Sequence, residues 1–119
     1  MDGLNEELQQ VLEDASYRIT LTNQREHLKV KVAKDLTYAY SGGLFKVTPE
    51  LINFVRLWID LGNKIIILSD SNNNPIRIDN QEDFLDELVS RYTSAMNDYH
   101  AAYERLKLAR NAKKVVEAA

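Results

Sequence analysis

The run Asp70-Ser71-Asn72-Asn73-Asn74 sets side-chain oxygens at alternate positions, as at the start of a calcium loop. The pattern then fails at two demanding positions. The sixth needs a glycine for its sharp turn and holds Pro75, and the twelfth needs a bidentate glutamate and holds Gln81. The same residues are strong turn formers, so a hairpin turn is the expectation. Gly42-Gly43 raises the idea of a phosphate loop, but no Lys-Ser or Lys-Thr pair follows and no third glycine stands at dinucleotide-fold spacing. A helix stop is expected there instead. His27 and His100 are far apart and fit no metal pattern. Glu104 follows His100 by one helical turn, which suits a solvated pair. Glu82 and Asp86 are also one turn apart, where acids complement the positive end of a helix dipole. No serine sits in a nucleophile elbow. These residues imply no enzyme, cofactor or metal site.

Two further groups could bind rather than react. Tyr92, Tyr99 and Tyr103, with Arg91 and Arg105 nearby, have the composition of a stacking platform for single-stranded nucleic acid. Packing is the stronger reading, because Tyr92 and Tyr99 alternate with alanines along a single stripe. Arg105, Lys107, Arg110, Lys113 and Lys114 face only Glu104 and Glu117 in the same stretch. They suit the negative end of a helix dipole and would also meet phosphate or an acidic partner.

The stripe itself is the strongest pattern in the chain. Leu85, Tyr92, Tyr99 and Leu106 recur at one heptad position, and Leu88, Ala95, Ala102, Ala109 and Val116 at the other. Spacing of three and four residues lies on one helical face and predicts a helix packed on another helix, in the same chain or in a second copy. Leu85, Leu88, Tyr92, Ala95, Tyr99, Ala102, Leu106 and Ala109 are the expected interface. The segment 79–87 is acidic and 105–114 basic, so two such helices would pair antiparallel.

Composition narrows the class. The chain has 119 residues, 45% of them hydrophobic and 28% charged, which suits one folded domain. Its 15 basic and 18 acidic residues leave a net charge of −3, no global drive toward nucleic acid or an anionic membrane. Without cysteine, disulfides, thiolate catalysis and cysteine-ligated zinc are excluded. The start MDGLNEELQQ is acidic and polar, unlike a secretory signal, and the longest apolar run, 65–68, is too short for a membrane span. A cytoplasmic protein, or a component of a particle assembled in the cytoplasm, is expected.

The elements follow from periodicity. Leu4, Leu8, Val11, Leu12 and Ala15 predict a short amphipathic helix, with 17–21 either a strand or its continuation. Over 23–40 strand alternation competes with helical spacing. Thr22-Asn23 as cap and Ser41-Gly42-Gly43 as stop favour the helix. Residues 44–47 read as extended. Thr48-Pro49-Glu50 opens a helix that is apolar around most of its circumference, a mark of a central helix, and Gly62-Asn63 ends it. Segments 64–68 and 76–78 form a hairpin, after which Asp79 or Asn80 caps the long helix. The whole is α+β and mostly helical: one domain, with a compact part over 1–80 and a long helix over 81–117.

Two segments carry a resemblance: Gly42-Gly43-Leu44-Phe45-Lys46-Val47-Thr48-Pro49-Glu50-Leu51-Ile52, and Asn74-Pro75-Ile76 leading into a long helix with spaced tyrosines. Together they resemble small proteins of large contractile-tailed bacteriophages, especially those infecting cyanobacteria. The resemblance implies a role in virion assembly or as a core or scaffold component, in the host cytoplasm or the virion. It transfers no functional residue. The expected function is a non-enzymatic assembly or structural protein that self-associates or docks on a larger complex through its long C-terminal helix. The alternative is a nucleic-acid-associated regulatory adaptor that uses the basic C-terminal end.

Overall fold

Seven elements make up the chain in the computed structural model: α1 (Asp2–Asp35), β1 (Thr37–Tyr40), β2 (Gly43–Lys46), α2 (Pro49–Asp60), β3 (Ile66–Ser69), β4 (Pro75–Ile78) and α3 (Gln81–Ala118). The backbone is described for residues 2–118, and burial for residue 3 and residues 5–111. The fold is α+β and predominantly helical. Two compact units are present: residues 31–99, and residues 1–30 together with 100–119.

Residues 31–99 are built around two antiparallel hairpins. In one, Thr37 pairs with Lys46 and Tyr40 with Gly43; in the other, Ile66 pairs with Ile78 and Ser69 with Pro75. The helical reading of 23–40 therefore holds only to Asp35, and 37–40 is a strand. The reason is local. Ser41 and Gly42 both have positive φ, 49° and 82°, which folds the chain straight back into β2. The expected helix stop is thus a hairpin turn, a second use of the same left-handed glycine.

Asp70 ties the hairpins together. Its Oδ2 accepts from the Leu44 N–H at 3.0 Å, and its Oδ1 accepts from those of Asn72 and Asn74 at 3.0 and 2.8 Å. Ser71 N–H also donates to the Leu44 carbonyl at 2.7 Å. Gly43 lies so close to the second hairpin that a Cβ there would stand 2.7 Å from Ile76 Cγ1.

Phe45, Val47, Val55, Ile66, Leu68, Ile78, Phe84 and Leu88 form one buried cluster. Phe84 is its centre, with ring contacts to Tyr38, Tyr40 and Phe45 at centroid distances of 5.7, 5.2 and 5.3 Å. α2 begins as its sequence predicts, with Thr48 Oγ1 accepting from Leu51 N–H and Pro49 in the first turn. Val55 faces the core, whereas Phe54, Leu57 and Leu61 stay exposed. The apolar circumference of α2 is therefore covered on one side. α3 starts at a reciprocal cap: Asn80 Oδ1 accepts from Asp83 N–H, and Asn80 Nδ2 donates to the Asp83 carboxylate.

Residues 1–30 and 100–119 form an antiparallel helix pair. Tyr17 Oη donates to the Ala109 carbonyl at 2.9 Å. Further along α1, Arg25 shares a groove with Tyr103 and Leu106, which come earlier on α3. The uncertain stretch 17–21 is continuous helix.

Candidate interaction surfaces

Asp70, in the run that begins like a calcium loop, has a structural duty. The Asp70 carboxylate spends its oxygens on three backbone N–H groups. These hold its pKa below the ordinary value, Asn74 contributing most, then Leu44, with burial opposing and Asn72 adding least. His100 Nε2 lies 3.7 Å from Glu104 Oε1 in an exposed pair. Lys31, Lys34, Asp35, Arg91, Ser94 and Asp98 line a polar groove of about 430 Å³. There the hydrogen bond from Lys31 Nζ to Asp35, and then the Asp35 charge, raise the lysine pKa. Such a lysine stays a protonated ammonium, the opposite of what a general base or nucleophile requires. Arg91 is engaged twice, by Glu87 at 2.7 Å and by the Tyr38 ring at 4.5 Å.

The expected seam on α3 divides in two. Within residues 31–99, Leu88 and Ala95 are fully buried and Leu85, Tyr92 and Tyr99 half-buried. Leu88 belongs to the core cluster, and Leu85 and Tyr92 pack against it. Leu88 and Ala95 thus have no surface left for a partner. Within the helix pair, Ala102 and Leu106 are half-buried and Ala109 is exposed. The Tyr17 hydroxyl of α1 reaches the Ala109 carbonyl there. Val116 lies outside the described side chains, as do Lys113 and Lys114.

Of the basic cluster, Arg105, Lys107 and Arg110 are exposed. Lys107 and Arg110 line a groove of about 260 Å³ with Arg25, Tyr103, Leu106 and Asn111. Its lining holds three cations and no acid, joining an arginine from α1 to the two C-terminal cations. Arg25 was not foreseen, because it is 82 positions before Lys107 in the chain.

Set against known protein families, characterised proteins and solved structures, the chain matches none. The surface must therefore speak for itself, and its most unusual part is α1. A helix turns about 100° per residue. Tyr17, Leu21 and Leu28 fall on one side and are half-buried. Leu8, Val11, Leu12 and Ile19 fall on a second side, roughly 150° away at that pitch. They are between 59% and 62% exposed, and Ala15 among them is exposed too. The signal was legible as Leu4, Leu8, Val11, Leu12 and Ala15. What periodicity in separate windows did not reveal was one continuous helix with two apolar faces, of which only one is covered. Exposed apolar side chains scattered singly are ordinary; here they recur on one side of a helix.

A further apolar area lies within residues 31–99. Phe54, Leu57, Leu61, Ile65 and Ile67 are all exposed on or beside α2 and β3. The Phe54 and Trp58 rings stack at 6.0 Å, and Trp58 Nε1 donates to the Ile65 carbonyl. Gln81 is buried, and its side-chain amide has no hydrogen-bond partner among the described residues. No helix among the described residues is long and apolar enough to cross a membrane.

Proposed function

We propose that this chain is a non-enzymatic assembly or structural protein that self-associates or docks on a larger complex through apolar helical surface. The outer face of α1 carries the reading: Leu8, Val11, Leu12 and Ile19 repeat at helical spacing and remain about 60% exposed. The long C-terminal helix enters this role differently from the sequence expectation. Its most buried seam residues support the fold, while Tyr103 and Leu108 leave apolar surface on the helix pair. The resemblance to contractile-tailed phage proteins agrees with an assembly role, in the host cytoplasm or the virion. Light scattering of the unsubstituted chain and a Leu12→Ser, Ile19→Ser variant tests the reading. Association that the variant loses supports it, and a variant that associates equally well removes α1 from the role.

The groove of Arg25, Lys107 and Arg110 favours a second reading, a nucleic-acid-associated adaptor. Three cations around a tyrosine suit a phosphate backbone. Retention on single- and double-stranded DNA, falling steeply with salt and lost in an Arg25→Glu, Arg110→Glu variant, would establish it. Equal retention of the variant would end it.

A further inference from the structure

We infer that the outer face of α1 pairs antiparallel with the same face of a second copy of this chain. The inference rests on the assembly reading and names its partner. Three observations on α1 point the same way.

The stripe is self-complementary. Leu8, Leu12, Ala15 and Ile19 are spaced four, three and four residues apart. That spacing reads identically in both directions. An antiparallel copy sets Leu8 opposite the second copy's Ile19 and Leu12 opposite its Ala15, so each large residue on one helix meets a residue of the same stripe. Alternating positions of this kind are what a two-fold symmetric interface requires, since one patch must fit itself.

The charge order selects the direction. Glu6, Glu7, Glu13 and Asp14 precede Ser16, whereas Arg18, Arg25 and Lys29 follow it with Glu26 the one acid between them. Glu7 and Arg18 flank the stripe on the same side. Antiparallel pairing in this register sets Glu7 of each copy opposite Thr20 of the other, about 3 Å along the axis from its Arg18 and on the same flank. Parallel pairing would set that flank against the other one, where Gln9, Ser16 and Thr20 carry no charge, so Glu7 and Arg18 would lose their opposite partners.

The opposite side of α1 is already occupied. Tyr17, Leu21 and Leu28 are half-buried within the helix pair, so the outer face is free to meet a partner without disturbing the inner one. A helix with two apolar sides is stable when both are covered.

The absence of cysteine makes a clean test. Leu8→Cys and Ile19→Cys are prepared as separate single-cysteine chains, with helicity checked by circular dichroism. In the antiparallel pair, two copies of the same variant hold their thiols about 16 Å apart along the helix axis, from eleven residues of rise. A disulfide needs Cα atoms within about 7 Å. Mild oxidation should leave each variant alone uncrosslinked and give a covalent dimer from their mixture. Dimers from each variant alone would show parallel pairing and overturn the inference. No dimer in any sample, with the unsubstituted chain larger than one copy by light scattering, would overturn this pairing and move assembly to another surface. No dimer with a one-copy mass would overturn both. Charge gives an independent check. Arg18→Glu should lose the dimer at a concentration where the unsubstituted chain keeps it, and adding Glu7→Arg in the same chain should restore it. Failure to restore counts against the antiparallel register.

Discussion

Residues 31–99 and the helix pair of 1–30 with 100–119 are built from similar amphipathic material, and they use it in different ways. Every fully buried apolar side chain among the described residues lies in 31–99. There, hairpins and helix ends converge on Phe84, and polar backbone groups close on Asp70. The helix pair buries its inner stripe only in part. Burial of apolar area is the main source of folding free energy, so stability concentrates in 31–99. The helix pair holds apolar surface that its own chain does not cover. One region specifies the fold, and the other is the one we propose for association.

The contrast can be broken at its strong end first. Phe84→Ala should cost about 3–5 kcal/mol, because a fully buried ring touching three others is replaced by a cavity. Chemical denaturation measures it. A loss below 1 kcal/mol would mean that the core can collapse around the gap, and that the centre of stability lies elsewhere. Gly43→Ala should cost about 1–3 kcal/mol, since the new methyl meets Ile76 Cγ1 at overlapping distance and either that side chain or the hairpins must shift. The same substitution at Gly3, where nothing lies within 4 Å, is the control.

Acid sharpens the account of Asp70. Its folded pKa is below the ordinary 3.8. A carboxyl depressed on folding stabilises fully above its unfolded pKa, and the contribution disappears as pH falls through the folded value. Stability should therefore decline below about pH 4, and Asp70→Asn should flatten part of that decline. An unchanged acid limb in the variant would mean that other carboxylates govern it.

Smaller effects belong to the helix pair. Tyr17→Phe removes the hydroxyl that donates to the Ala109 carbonyl. The expected cost is about 0.5–1.5 kcal/mol, read as faster amide exchange in 1–30 and 100–119 with 31–99 unaffected. Smallest of all, Leu12→Ser should change monomer stability by no more than about 0.5 kcal/mol, as for an exposed position, while lowering association. A large loss of stability would show that Leu12 is already covered within its own chain.

Much of this division was legible in the residues. Thr48-Pro49-Glu50 opened a helix, Asn80 capped another, and 70–75 made a turn, because each rests on local backbone chemistry that neighbours in sequence supply. Segment 37–40 was harder. Leu36 and Tyr40 continue a helical stripe, yet the left-handed pair Ser41 and Gly42 and the pairing with β2 draw 37–40 into a strand. Tertiary pairing overrode a local pattern. The groove at Arg25 was invisible for a different reason: only the antiparallel register of two helices brings it to Lys107 and Arg110. From Leu85 to Leu106 the seam residues of α3 are buried or half-buried, and Ala109 is exposed. Periodicity could not say that Leu88 would be absorbed by the hairpin core, since a core stripe and an interface stripe have the same spacing.

The central claim is that the uncovered face of α1 joins copies of this chain. Its most direct test is absolute mass in solution, by size exclusion with light scattering across a range of concentrations. The account predicts a species heavier than the 13.7 kDa chain that reverts to that mass in the Leu12→Ser, Ile19→Ser variant. A mass of 13.7 kDa for the unsubstituted protein at every concentration would contradict it.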